Sequence, residues 1–297
     1  MKTHRVNHNK KDGYKKNYKQ NGTNAPQDKF KSKKPTFIKN TNGFLIVSLF
    51  ITKETPFNDI VNSINSALAI DHKKKVIISF EDQQNIKIIS SIQSKFANVF
   101  GAFFFNYKGK LSENSTTNSS KIQTEVLKSF KSSLFLTLTS NVEIRKYSIE
   151  KMISFLSKDD DVFAVAPKFY SDSSEIVKTC RRFFSIWNFL PEFSNFIKNK
   201  NLEHFMMERG EVGYYSIHRI DYSTLDCMLF ITDQLNKVKS FSSRFKNADL
   251  RDASFCQKLY KKTKGKIMFY PHSRVLLKKN NFSEKPEFYE KLKYFFL

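Results

Sequence analysis

A chain of 297 residues, 40% of them hydrophobic, is long enough to bury a sizeable core in one large domain or two small ones. Its formal charge of +23, from 51 Lys and Arg against 28 Asp and Glu, points to an anionic partner such as nucleic acid, a phosphate-rich ligand or an acidic membrane surface. Three well-separated cysteines fit neither a disulfide framework nor a zinc pattern, and no apolar run reaches the roughly 18–20 residues of a membrane-spanning helix, which argues against a secreted disulfide scaffold and an integral membrane protein.

Residues 1–42 form a basic, polar leader with eleven Lys and one Arg against two Asp. It holds too few apolar residues to offset the entropy of ordering, so the expectation is a disordered tail, too polar for a secretory signal. Such a tail would suit peripheral contact with an anionic membrane. It supplies less than half of the excess charge, so the remainder of the chain is basic as well. A skew to Lys, Asn, Ile and Phe, with only 8 Gly and 7 Pro, accounts for part of that charge. The cysteine usage points to a reducing, cytoplasmic setting, with attachment at the inner face of the membrane left open.

From Gly43 the texture changes. Phe44–Ile51 is a continuous apolar run suited to a strand buried on both faces. Thr55-Pro-Phe then precedes a helical pattern over Asn58–Ile70, and a second strand, Lys75–Phe80, ends at Glu81-Asp82. A helix is expected over Ile86–Phe96 and a strand over Asn98–Asn106. Lys108–Ser120 lacks apolar periodicity and reads as a loop, followed by a helix over Ile122–Phe130 and a strand over Ser133–Leu138. Ser148 opens a helix to Leu156, and Val162–Ala166 is a strand closed by Pro167. The stretch Phe183–Leu190, which contains Trp187, reads as amphipathic. Further on come an apolar strand, Asp226–Ile231, the F-x-x-x-F of Phe241 and Phe245, and a helix carrying Asp252, Cys256 and Leu259. A lysine-rich turn closes at Gly265, and a strand over Lys266–Tyr270 ends at Pro271-His272. Strands alternating with helices of this length imply βαβ units and a mostly parallel sheet with right-handed crossovers. Residues 281–297 are expected to form an amphipathic C-terminal extension.

The order of elements over Ile220–Leu277 resembles the C-terminal half of the catalytic domain of family 2 glycosyltransferases, particularly their rhamnosyltransferase-like branch. That branch has a strand with small residues, a Gly-Gly-Phe-Asp-x-x-Phe segment, a Glu-Asp-x-Asp that opens a helix, and a strand ending in Pro. Four further segments are similar to the same family: the opening strand and helix with Ser66-Ala-Leu, Leu134–Glu143, Asp159–Lys168 and Cys180-Arg-Arg-Phe183. The resemblance spans about Gly43 to Leu277. It implies an α/β protein of the GT-A type, a Rossmann-like mixed sheet between helices over residues 43–280, with a nucleotide-sugar at the C-terminal strand ends.

The same resemblance places the chemistry. The family's metal-binding aspartate falls on Asn141, with Glu143 two residues later, as the position for a divalent Mg or Mn. The Glu-Asp-x-Asp pattern falls on Arg251-Asp252-Ala253-Ser254, which makes Asp252 the candidate base; Asp249 is an alternative cap or base. Arg251 beside Asp252 would favour the ionised carboxylate and lower its proton affinity. Glu54, Glu81 and Asp82 fall where the nucleotide is contacted, and Asp226 where the acceptor sugar lies. Arg181 and Arg182 either clasp phosphate or open the amphipathic stretch behind them. Three acidic positions of the family pattern are replaced. The expectation is therefore an inverting transferase that moves a sugar from a nucleotide-sugar to a glycan, lipid-linked or protein acceptor. One alternative is a catalytically degenerate GT-A domain that binds or scaffolds; another is a basic nucleic-acid-binding protein. Against the last, no nucleic-acid motif occurs, and the aromatic residues sit on apolar strands rather than interleaved with Lys. Neither a G-x-G-x-x-G nor a Walker phosphate loop is present.

Overall fold

The computed structural model describes residues 43–81, 86–183, 211–241 and 245–278. The expectations for the 1–42 tail, the 281–297 extension, the stretch beyond Phe183 and Asp82 fall outside these residues. At the centre are β1 (Leu45–Ile51), β2 (Lys74–Phe80), β3 (Ala102–Phe105) and β4 (Leu134–Thr139), which run parallel to one another. Every residue of β1 and β4 is buried, as continuous apolar runs in a sheet covered on both faces must be. Antiparallel β9 (Cys227–Ile231) joins β4 to β6 (Val162–Ser171), and β10 (Lys266–Leu277) runs parallel to β6. The sheet order is β3-β2-β1-β4-β9-β6-β10-β5, where β5 is Val142–Ile144; β7 (Ile176–Val177) and β8 (His218–Ile220) add to β6 and β10.

Among the described residues, six α-helices connect these strands: α1 (Phe57–Leu68), α2 (Ile86–Phe96), α3 (Ser115–Ser129), α4 (Ser148–Leu156), α5 (Thr232–Asn236) and α6 (Ala248–Thr263). One face of the sheet, with Ile46, Phe50, Phe135 and Phe230, packs into a single core with Ile122 and Val126 of α3 and Leu250, Phe255 and Leu259 of α6. Phe241 stacks on Phe255 at 4.6 Å between centroids and meets Phe230 edge-on at 6.3 Å. The alternate strand residues Leu45, Val47 and Leu49 are equally buried, on the face where α1 meets β1 and β2. No helix among the described residues is long and apolar enough to cross a membrane.

Three local expectations are corrected. The segment read as a loop through Ser120 is helical from Ser115, because Asn114 caps it by accepting the Thr117 N–H at 2.9 Å. Its buried residues include Asn118, Ser119, Ser120, Gln123 and Thr124, so its inward face has no apolar period to read. Pro167 does not close β6: the strand runs on to Ser171, and Pro167 pairs with Tyr270 at the edge of a register irregularity, where no ladder donor is required. For the same reason Pro271 and His272 lie inside β10 rather than at its end. Gly265, before β10, is required by close approach, since a Cβ there would come within 2.5 Å of the Phe163 ring and 2.8 Å of the Asp161 carbonyl.

Candidate functional site

A cleft of about 260 Å³ opens where β1, β2 and β4 end at their C-terminal side, the position at which open parallel sheets bind ligands. Its first wall is the turn after β1. The Thr52 and Thr55 hydroxyls lie 2.6 Å apart, Thr55 Oγ1 is 2.7 Å from Ser140 Oγ, and the Thr52 N–H donates to Ser140 Oγ at 3.2 Å. This network fastens the end of β1 to the end of β4. Glu81, at the end of β2 and 4% exposed, accepts the Lys53 N–H at 3.0 Å. Glu54 lines the same wall.

The second wall is the turn between β4 and β5. The Thr139 hydroxyl donates to Asn141 Oδ1 at 2.6 Å, with Asp226 Oδ1 at 3.3 Å. Asp226 Oδ2 accepts from the Thr224 hydroxyl at 2.6 Å. The third wall is helical: Ser115, Thr116 and Ser119 come from the first turns of α3, and Ala248 and Arg251 from the start of α6. The polar face of α3, unreadable as a helix in the sequence, thus forms cleft surface.

The predicted site residues separate into two groups. Glu54, Glu81, Asn141 and Asp226 all line the cleft. Glu143 does not: on β5 its carboxylate is drawn to Arg145 at 3.4 Å and Lys278 at 3.6 Å, so the structure does not bring it to Asn141. Asp252 lies behind the cleft wall, 2% exposed, with both oxygens engaged: Oδ1 accepts from Arg251 Nε at 2.5 Å and Oδ2 from the Leu225 N–H at 3.0 Å. Asp249 is ion-paired with Arg181, whose guanidinium is thereby accounted for at least in part.

Burial raises the Asp252 carboxyl above its ordinary range, against the opposing pull of the Arg251 guanidinium and the Leu225 N–H. The pull expected of Arg251 is present, but the desolvation that the sequence reading did not count outweighs it. For Arg251, burial works against the charge, and the surrounding groups, Asp252 foremost by charge and hydrogen bond and then Asp226, together more than restore it. The pair is a buried ion pair held within the wall, with Arg251 as its member on the cleft side.

The residues at the strand-end turn fit a divalent cation poorly. Asp226 is the carboxylate beside Asn141, and the oxygens of Thr139, Asn141 and Asp226 bond to one another rather than converging on a common point. Among the described residues, no three His, Cys, Asp or Glu side chains cluster as a metal site. Thr52, Thr55, Ser115 and Thr116 are cleft residues that the sequence reading did not place in a site, and Arg251 is one it read only as the neighbour of Asp252; the Asn114-x-x-Thr117 cap was the available signal for the α3 pair.

No protein-family model matches the sequence, and no curated protein does. Solved structures do. One is S. aureus TarS 1-349 in complex with UDP-GlcNAc, with a TM-score of 0.51 and 14% identity, over 82% of this chain and 59% of that one. Another is GalNAc-T7 with UDP, GalNAc and Mn2+, with a TM-score of 0.50 and 11% identity, over 82% of this chain and 45% of that one. The chain thus spans about half the length of the structures it matches. At these identities the likeness is one of fold, and the fold is GT-A: a mostly parallel sheet flanked by helices, as the order of elements had implied.

Proposed function

We propose that this chain is a nucleotide-sugar-dependent glycosyltransferase whose donor occupies the cleft at the ends of β1, β2 and β4. The observation that carries the reading is the make-up of that cleft: a buried Glu81 at the end of β2, Asp226 just before β9 and Arg251 at the start of α6, on a GT-A sheet. The two solved structures with this fold contain UDP-GlcNAc or UDP, which supports a nucleoside diphosphate on that side of the sheet. Affiliation with family 2 and its rhamnosyltransferase-like branch belongs to the same proposal, supported by the order of segments from Gly43 to Leu277.

In this reading the nucleoside lies along the Lys53–Glu81 wall, within reach of Glu54, and the diphosphate lies near Asn141. Asp226, not Asp252, is the base. An acceptor hydroxyl on a glycan, lipid-linked or protein acceptor donates to the Asp226 carboxylate. Its oxygen bonds to the anomeric carbon as the bond from that carbon to the diphosphate oxygen breaks. The hydroxyl proton passes to Asp226, the nucleoside diphosphate leaves with the electron pair, and attack from the opposite face inverts the anomeric configuration. Asp252 acts through its neighbours: it holds Arg251 by one oxygen and, through the Leu225 N–H, the residue before Asp226 by the other.

The burial of Asp252 favours a second reading, a GT-A domain that binds a nucleotide-sugar without transferring it. One experiment separates the two. Melting temperature is measured against a panel of nucleotides and UDP-sugars, followed by assay of donor turnover for the natural chain and for Asp226→Asn. Transfer or donor hydrolysis that Asp226→Asn removes, with the thermal shift retained, supports the enzyme. A shift without turnover supports the binding module, and no shift with any nucleotide contradicts both.

A further inference from the structure

We propose that Arg251 supplies the fixed positive charge that meets the donor's diphosphate, in place of a divalent cation. The inference rests on the nucleotide-sugar reading of the cleft and goes beyond it. Three observations lead to it.

First, the strand-end turn has lost its metal chemistry in two separate ways. The position of the implied aspartate is a neutral amide, Asn141, already paired with Thr139. The acid two residues further along the chain, Glu143, is held away by Lys278 and Arg145. Second, Asp226 already accepts the Thr224 hydroxyl on Oδ2 at 2.6 Å, with the Thr139 hydroxyl 3.3 Å from Oδ1. A hard divalent ion would have to displace those bonds and would gain a single carboxylate. Third, a permanent cation already stands in the same cleft. Arg251 lines it, is 6% exposed, and is anchored through Nε by Asp252. Its Nη1 lies 3.5 Å from the Thr116 carbonyl in the first turn of α3, so the guanidinium bridges the two helices whose starts form the third wall.

A guanidinium in this position does what a bound metal would do for charge. It cannot be deprotonated near neutral pH, and its planar fork matches phosphate oxygens. It is also already ordered, so little reorganisation accompanies the appearance of negative charge on the leaving diphosphate. Lys53, in the turn after β1, also lines the cleft and is a second cation available to the same ligand.

The test uses UDP and UMP as probes, titrated calorimetrically into the full chain in EDTA and again in Mn2+. The expected result is UDP affinity equal within about twofold in the two conditions, and UDP at least about tenfold tighter than UMP in EDTA. The double variant R251M/D252N removes both charges together and so leaves no unpaired buried ion. It should bring UDP affinity down to within about threefold of UMP while leaving UMP binding unchanged. UDP binding that appears only with Mn2+, or that survives intact in the double variant, overturns the inference and leaves the nucleotide-sugar reading standing. Binding of neither probe in either condition removes that reading and the inference with it. Should the double variant not fold, the comparison of EDTA with Mn2+ on the natural chain decides alone.

Discussion

Asp252 and Arg251, neighbours on the first turns of α6, form an ion pair of 2.5 Å inside the protein, and the second oxygen of Asp252 accepts the N–H of Leu225 at 3.0 Å. One buried carboxylate therefore fixes a cation and, through the next residue in the chain, the carboxylate of Asp226 that shares the cleft with it. Asp252→Ala should destabilise the fold by about 3–5 kcal/mol, because it strands a buried guanidinium. Asp252→Asn keeps an acceptor for Leu225 and should cost about 1–3 kcal/mol. Denaturant titration checks both; an alanine variant within about 0.5 kcal/mol of the natural chain would mean that the pair is solvent-screened.

Asp226 and Asp252 should part company kinetically. Asp226→Asn is expected to reduce turnover by at least about a hundredfold with donor affinity little changed, as loss of a base does. Asp252→Asn should instead weaken donor binding and turnover together, since it loosens Arg251. Single-turnover assays alongside equilibrium binding make the distinction. A pure loss of turnover in Asp252→Asn would restore it as the base.

The three thiols give a pH signature. Burial pushes Cys180 from 9.0 up to about 12, and it also raises Cys227 and Cys256. A group raised in the folded state contributes stability that is complete below its unfolded value and disappears as pH climbs toward its folded value. Stability should thus fall progressively from about pH 9 upward, and Cys180→Ala should make that fall shallower. The denaturation midpoint at pH 7, 9 and 10.5 is the measurement. A decline of the same steepness in the variant would assign it to other groups.

Gly265→Ala should destabilise the protein by about 1–3 kcal/mol, because the added methyl meets the Phe163 ring and the Asp161 carbonyl at the entry to β10. Thermal unfolding tests it. A neutral result would show that the Phe163 side chain swings aside at no cost.

Much of the fold could be read from the sequence because its central strands are buried on both faces. Leu45–Ile51 and Leu134–Thr139 are almost wholly apolar, broken only by Ser48, Thr137 and Thr139, and such runs have few alternatives. The start of α3 was hidden for the opposite reason: its inward face is made of Asn, Ser, Gln and Thr that close on polar neighbours and on the cleft, so periodicity carried no signal. Pro167 misled because a proline can sit within a strand where the ladder is already irregular. At the site, the resemblance put Glu54, Glu81 and Asn141 after strands and Asp226 at the start of one, and all four line the cleft. The fates of Glu143 and Asp252 did not follow, because each depends on partners distant in sequence, Lys278 in one case and Leu225 in the other. Arg251 was read as a disturbance to its neighbour; the turn of the helix makes it the residue of the pair on the cleft wall.

The account stands on the cleft at the ends of β1, β2 and β4 as the seat of a nucleoside diphosphate. Its most direct test is calorimetric titration of UDP into the natural chain and into Thr116→Trp, a substitution on the cleft wall. One-to-one saturable binding to the natural chain, abolished in the folded Thr116→Trp variant, is the predicted result. Absence of binding, or binding that the tryptophan leaves unchanged, would contradict it.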